Sequence, residues 1–342
     1  MRMNLCPTDI ANEIIDKQLI LCGWDIICPL RVSDYEKIGA VTRNYFEGSA
    51  LYDYILHVDN KPVGYIKVLP TTTSKNAYTP HDFDEYIRTY QPSELNKTYS
   101  YLYLSYGADT YFMDLRDPAP EWRKINTFHR PETLNRWIKR TISLRMRLAQ
   151  YFPEVDSKGL NDGQISALSK IENSLQELNK ITCVEIPQDL DKYQVTITSF
   201  YRLIKHTKVL RVLYLVNDVQ AATIAESHFS NYIPQDDPRL LSDIYSFIRL
   251  RNTYIPQDHQ AYITSIQRLY CILKNRDLEQ AEAADTNDFL ENEEVLPIEY
   301  NEKVPMEFFD VIVFDECPET LDVRWQPIFD YLDAFHVRIN CC

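Results

Sequence analysis

The run at residues 308–314, FFDVIVF, leaves this chain the least freedom in how it folds. It is too short for a helix of ordinary length and rich in β-branched and aromatic residues. It also lacks the polar alternation of a half-exposed strand, which predicts a strand over 311–314 buried on both faces. Two further runs of this kind stand at 181–186 and 209–216. Between them lie helical patterns, such as Gln164 to Leu178, where Ile165, Leu168, Ile171, Leu175 and Leu178 share one face. Buried strands alternating with amphipathic helices predict a parallel sheet with helices on both faces. The 311–314 run ends in Asp315 and Glu316, and carboxylates at the C-terminal end of a buried strand can hold Mg²⁺ and a water. The same pair can instead cap the next helix or meet nearby bases.

The first 150 residues read differently. A helix is predicted near residues 9–21, a hairpin over 52–68 turning at Asp59-Asn60-Lys61, an alternating strand in YSYLYLSY at 99–106, and a Pro131-led helix at 130–140. Basic residues Arg136, Lys139, Arg140, Arg145 and Arg147 are read as one basic helix. A boundary near 153–158 divides the chain into domains at 1–152 and 159–342, each long enough for its own core. The acidic stretch 277–302 carries ten acidic residues and is read as an exposed loop.

A net charge of −14 argues against a nonspecific coat for nucleic acid, though a local basic patch can survive on an acidic protein. No apolar run approaches the ~18 residues of a membrane span, and the N-terminus lacks the apolar core of a signal peptide, so a cytoplasmic protein without a membrane partner is expected. Eight cysteines without CxxC spacing read as reduced, mostly packed thiols, with Cys341-Cys342 a frayed end.

Several strings then coincide in order: KPVGYIKV, RDPAPEW, FHRPETLNRWI, RVLYLV, TSIQRLYCILK, EFFDVIVFDEC and RWQPIFDYLDAF. Together they make the chain resemble the restriction (R) subunit of type I restriction-modification enzymes over nearly its whole length. The resemblance implies an α/β protein: a PD-(D/E)xK nuclease-like domain followed by a RecA-like (P-loop helicase) parallel-sheet domain. Its implied partners are methyltransferase and DNA-specificity subunits and double-stranded DNA; its implied cofactors are Mg²⁺ and ATP. The chain stops at HVRINCC, where that family continues into a second motor lobe, so only the first lobe is expected.

Carried over residue by residue, the resemblance places Asp53 at the nuclease aspartate, but Lys67 and Leu69 stand where the family has Glu and Lys, and Pro7 replaces an early acidic residue. A nuclease of this kind holds Mg²⁺ between two carboxylates while the lysine serves the attacking water. A cation at a ligand position is worse than a gap: at ~4 Å and an effective dielectric of ~20 a unit pair repels by roughly 4 kcal/mol. Asp53 is therefore read as a solvated or hydrogen-bonded remnant.

The phosphate-loop stretch corresponds to Cys183 to Gln194. Lys192 is kept, yet Asp189, Leu190 and Asp191 fill the glycine-rich segment and Tyr193 replaces the hydroxyl that would ligate Mg²⁺, so ATP is expected to bind weakly if at all. Gln164 matches a glutamine that contacts the base in relatives, or is an exposed residue at a helix start. Asp315 and Glu316 complete the nucleotide set, with Pro318 where the family has His.

DNA contacts are sought on Arg136, Lys139 and Arg140, on YRLIKHTK at 201–208, and at Thr264 and Gln267 of TSIQRLY, whose Ile266 and Leu269 also suit a core. Two functions follow. One is a catalytically degenerate R-subunit homologue acting by binding, as scaffold or decoy in a restriction or phage-defence assembly. The other is a residual restriction subunit with weak ATP or DNA binding or Mg²⁺-dependent endonuclease activity. An acidic DNA mimic is a third reading, drawn from net charge alone.

Overall fold

A computed structural model describes residues 7–47, 50–69, 99–105, 107, 109–150, 152–155, 159–277, 296–315 and 325–341. It divides into two compact units, Met1–Ser143 and Leu144–Cys342.

The first unit opens with α1 (Pro7–Leu21), in which Ala11, Ile15 and Leu19 recur every fourth residue and are fully buried. Seven strands follow: β1 (Asp25–Ile27), β2 (Gly39–Glu47), β3 (Ala50–Val58), β4 (Lys61–Val68), β5 (Tyr101–Ser105), β6 (Thr110–Asp114) and β7 (Arg123–Ile125). They lie side by side in chain order, with β1–β2 and β4–β5 parallel and the other pairs antiparallel. The predicted hairpin is β3–β4. Asp59 and Asn60 turn it at φ 48° and 63°, the left-handed pair that a two-residue type I′ turn needs.

The strand read as alternating, β5, is instead buried at every position. Tyr101 and Tyr103 meet an aromatic layer of Phe112, Phe128 and Trp137 on one face, while Leu102 packs with Ile55, Tyr65, Tyr99 and Met113 on the other. Alternation of Tyr with Leu is thus two apolar faces rather than one wet and one dry. The closing helix, α2 (Pro131–Ile138), has Pro131 in its first turn as predicted. It ends before Lys139, so the reading of one basic helix through Arg147 is corrected: Arg145 and Arg147 lie on α3 (Leu144–Gln150), in the other unit.

The second unit continues with α4 (Asp162–Gln176), β8 (Ile181–Ile186), α5 (Lys192–Arg202) running into a π turn (Leu203–Thr207), β9 (Val212–Val216), α6 (Val219–Asn231), α7 (Leu241–Ile244), β10 (Phe247–Arg249), β11 (Ala261–Ser265), α8 (Ile266–Leu273), β12 (Val311–Asp315), α9 (Gln326–Tyr331) and β13 (Phe335–Cys341). Its six strands are all parallel in the order β10-β11-β9-β12-β13-β8. As expected, β12 is a buried strand, and the sheet order places it centrally. Its neighbour β9 is equally buried, but begins three residues later than predicted. Lys208 turns the chain at φ 55°, and the Asp310 carboxylate accepts the Leu210 amide at 2.6 Å, holding 209–211 as a loop. A further correction concerns β8, which alternates exposed and buried residues because it is a sheet edge.

A buried ion pair joins two helices of this unit. Glu172 of α4 and Arg202 of α5 form a two-pronged ion pair, 2.5 Å and 3.0 Å, with both side chains under one-tenth exposed. Arg202 also donates to the Pro153 carbonyl. Burial pushes the Glu172 carboxyl up, against the opposing pull of Arg202.

Two histidines in the cores set a pH response. Burial pushes His57, on β3, down to about 4 and His336, on β13, down to about 3. Both are neutral when folded, whereas an unfolded chain takes up the proton near pH ~6.5. Their contribution is therefore whole at pH 7 and is lost as pH falls from about 6.5 toward the folded values, by up to about 1.4 kcal/mol per pH unit for each. Urea midpoints are expected to fall between pH 7 and pH 5, and His336→Gln to flatten that fall for the second unit.

Other expectations resolve simply. Cys22 and Cys271 are packed, but Cys28 and Cys183 are exposed, so the described thiols are not mostly buried. Cys342, Glu316, Pro318 and residues 278–295 of the acidic stretch lie outside the described residues. No described helix is long and apolar enough to cross a membrane.

Candidate functional site

In the second unit, the segment read as a phosphate loop joins β8 to α5, and Asp315 ends β12 two strands away, with β13 between. Parallel strands bring both to the same edge of the sheet, where ligands of such folds collect. Lys192 and Asp315, 123 positions apart, meet there at 3.0 Å. The Asp315 side chain is only 3% exposed, and its other oxygen accepts the Tyr214 hydroxyl from β9 at 2.7 Å.

The loop itself is closed by its own side chains. Asp191 is the N-cap of α5, and its carboxylate accepts the Tyr193 and Gln194 amides at 3.0 Å and 3.2 Å. Those amides, at the positive end of an eleven-residue helix, are the donors a phosphate would use. Leu190 packs against the unit's core and stands so near Gly163 that a Cβ there would meet its Cδ1 at 2.6 Å. The Tyr193 ring stacks on His228 at 4.2 Å, with the Lys192 ammonium over its face.

Gln164 is not the exposed residue of the plainer sequence reading. It is 4% exposed and forms a reciprocal capping box with Asn161 at the start of α4. Its amide donates to Gln194 Oε1 at 3.0 Å, and Gln194 donates to the Gly159 carbonyl. This polar network binds α4 to the closed loop. Beside it, an open recess of ≈ 430 Å³ is lined by Asp191, Gln194, Ile197, His228, Asn231 and Tyr232, among others. The donor set does not fit a nucleotide triphosphate: the helix amides already hold a carboxylate, and the lysine lies on a second one.

In the first unit, Asp53 on β3 faces Lys67 on β4 at 3.2 Å, and the Val68 amide donates to the same Asp53 oxygen at 2.7 Å. A β-bulge between Leu56 and His57 produces this meeting. Near the turn the paired numbers sum to 119, as for Val58 and Lys61, and beyond the bulge to 120, as for Tyr54 and Ile66, which carries Lys67 opposite Asp53. Leu69 is buried and packs with Leu104, Tyr111 and Trp122. Among the described residues, no three His, Cys, Asp or Glu side chains converge as metal ligands. Mg²⁺ has no fit here, since an ammonium already stands against the carboxylate.

The basic residues are largely committed within the chain. Arg147 donates to the Thr207 carbonyl, Arg145 lies over the Phe335 ring, and Lys205 of 201–208 pairs with Asp236 at 2.5 Å. Lys139 is exposed, Arg136 reaches Thr133, and the Arg140 carbonyl accepts from Arg116. Thr264 is 1% exposed at the end of β11, and Gln267 donates to the Asn217 carbonyl, while Ile266 and Leu269 are core. The sequence reading missed a concentration of guanidinium groups between β10 and α8, where Arg249 and Arg251 share Glu226 and Arg268 holds the Arg251 carbonyl. Its signal was the pair Arg249 and Arg251 flanking Leu250.

Comparison with known proteins adds three findings. A family model described as "Type III restriction enzyme, res subunit" matches residues 157–339, more than half of the 342 residues. The search of curated proteins returned no match. Among solved structures, the fragment structure of a putative HsdR subunit of a type I restriction enzyme from Vibrio vulnificus YJ016 aligns at 15% identity and a TM-score of 0.34. That alignment covers 99% of this chain and 56% of the other, so the chain spans little more than half of the other's length.

Proposed function

We propose, for a chain that belongs to the type III restriction enzyme res subunit family, a role in binding rather than catalysis, as a catalytically degenerate R-subunit homologue. It acts as a scaffold or decoy in a restriction or phage-defence assembly, with methyltransferase and DNA-specificity subunits of a type I system as the partners sought. The first unit is read as the nuclease-like domain and the second as a first RecA-like lobe, whose all-parallel sheet suits that reading.

The observation that carries this reading is the Asp191 cap. A phosphate-binding helix end works because its amides are open and its dipole favours an anion. Here a tethered carboxylate takes the amides of residues 193 and 194 at no cost in translational entropy, and Lys192, the one retained cation, lies against Asp315. A triphosphate would have to displace one carboxylate and compete with the other. Two amides that could stabilise a developing negative charge at this helix end are thus held by Asp191.

A second reading, a residual restriction subunit, draws on one fact: Lys192 and Asp315 are brought to one place beside the recess lined by Gln194 and His228.

Calorimetric titration with Mg²⁺-ATP separates the two. No heat of binding is expected for the wild-type chain, and Asp191→Gly is expected to gain measurable affinity as the amides open. Wild-type affinity in the micromolar range, abolished by Lys192→Met, would support the residual enzyme instead. Affinity capture with the tagged chain is expected to recover methyltransferase and specificity subunits together.

A further inference from the structure

We infer that Lys67 serves the first unit as a built-in cation, taking beside Asp53 the place that a divalent metal holds in a nuclease of the kind proposed above, so that this unit is complete without metal. The inference rests on the nuclease-like reading of the unit and adds what replaced the metal there. Three observations meet at one point. The ammonium stands 3.2 Å from Asp53 Oδ2, both side chains are about four-fifths buried, and the Val68 amide donates to the same oxygen. The bulge at Leu56 and His57 is what sets Lys67 opposite Asp53. Two positions on, Leu69 fills apolar space with Leu104 and Trp122 where a charged side chain would need water.

The sequence suggested that Lys67 merely repels a metal. The geometry gives it a positive role, because a carboxylate shielded from solvent requires a cation or donors, and here the chain supplies both. Lys67 is thus a positioning residue for the β3–β4 pair, and the loss of the metal ligand and the gain of the ion pair are a single exchange.

Thermal unfolding of the full chain tests this, with the metal alone as probe. The comparison is between EDTA and millimolar MgCl₂, with NaCl matching ionic strength. The wild-type Tm is expected to be equal in both. Lys67→Met is expected to lower the Tm by several degrees in either buffer, and Asp53→Asn added to it to recover most of that loss, a coupling that a mere loss of packing does not give. Lys67→Glu, which places a second carboxylate beside Asp53, is expected to lose stability in EDTA and regain it in MgCl₂. The inference is overturned if MgCl₂ raises the wild-type Tm as much as that of Lys67→Glu, or if the Lys67→Met and Asp53→Asn losses simply add. Because neither cleavage nor ATP is read, these outcomes are independent of whether the chain proves to be an enzyme. Should Lys67→Glu fail to fold, the Lys67→Met and Asp53→Asn cycle still decides.

Discussion

Alanine at position 172 is expected to cost the second unit about 3–5 kcal/mol, the cost of leaving a buried charge without its partner. Arg202 would remain under one-tenth exposed with only the Pro153 carbonyl to meet it among the contacts described above. At about 2–4 °C per kcal/mol for a unit of this size, a fall of roughly ten degrees should be read in a thermal scan. The sign of the Glu172 shift says more. Its folded carboxyl is raised, so the pair holds its proton more readily than the unfolded chain does, and its contribution weakens as pH rises through the folded value. Desolvation therefore outweighs the attraction of Arg202. It follows that replacing both residues by apolar ones of similar size, Glu172→Leu with Arg202→Met, should cost far less than Glu172→Ala alone. A double variant as unstable as the single one would show that the pair is a net stabiliser.

The second large effect concerns Lys192. If its work is to neutralise Asp315, then Lys192→Met removes the cation from a carboxylate that is 3% exposed and whose other oxygen accepts the Tyr214 hydroxyl. A loss of about 3 kcal/mol is expected, with most of it returned by adding Asp315→Asn. A lysine retained to hold phosphate would behave in the opposite way. Its removal would abolish nucleotide affinity and leave the unfolding midpoint in place. Denaturant titration of the four proteins in this cycle measures the coupling directly, and a coupling near zero would remove the structural role.

Much of the second unit could be read from its residues. The runs at 181–186 and 311–315 are strands because β-branched and aromatic residues there have no helical period to follow, and α4 shows its apolar face at the expected spacing. Short strands β10 and β11 escaped, since three to five residues carry no period long enough to distinguish. The edge position of β8 escaped as well, because sheet order is set by packing rather than by the strand's own residues.

At the site, the residue types were legible and their roles were not. Asp191 followed three residues later by Gln194 is the pattern of a helix N-cap, and Asn161 before Gln164 is the same pattern again. Both local signals are present, yet beside the phosphate-loop resemblance Asp191 reads as a residue filling a glycine-rich segment. The pairing of Lys67 with Asp53 had no such signal. It depends on a single bulge, and without that shift of one residue Ile66 would face Asp53.

The measurement that bears most directly on a binding rather than a catalytic role is cleavage of double-stranded DNA in the presence of Mg²⁺ and ATP, run with the wild-type chain and with Asp53→Ala. The DNA is expected to stay intact with both, at any protein concentration at which the chain is folded. Cleavage by the wild-type chain that Asp53→Ala abolishes would contradict it, and would mean that Asp53 holds a metal despite Lys67.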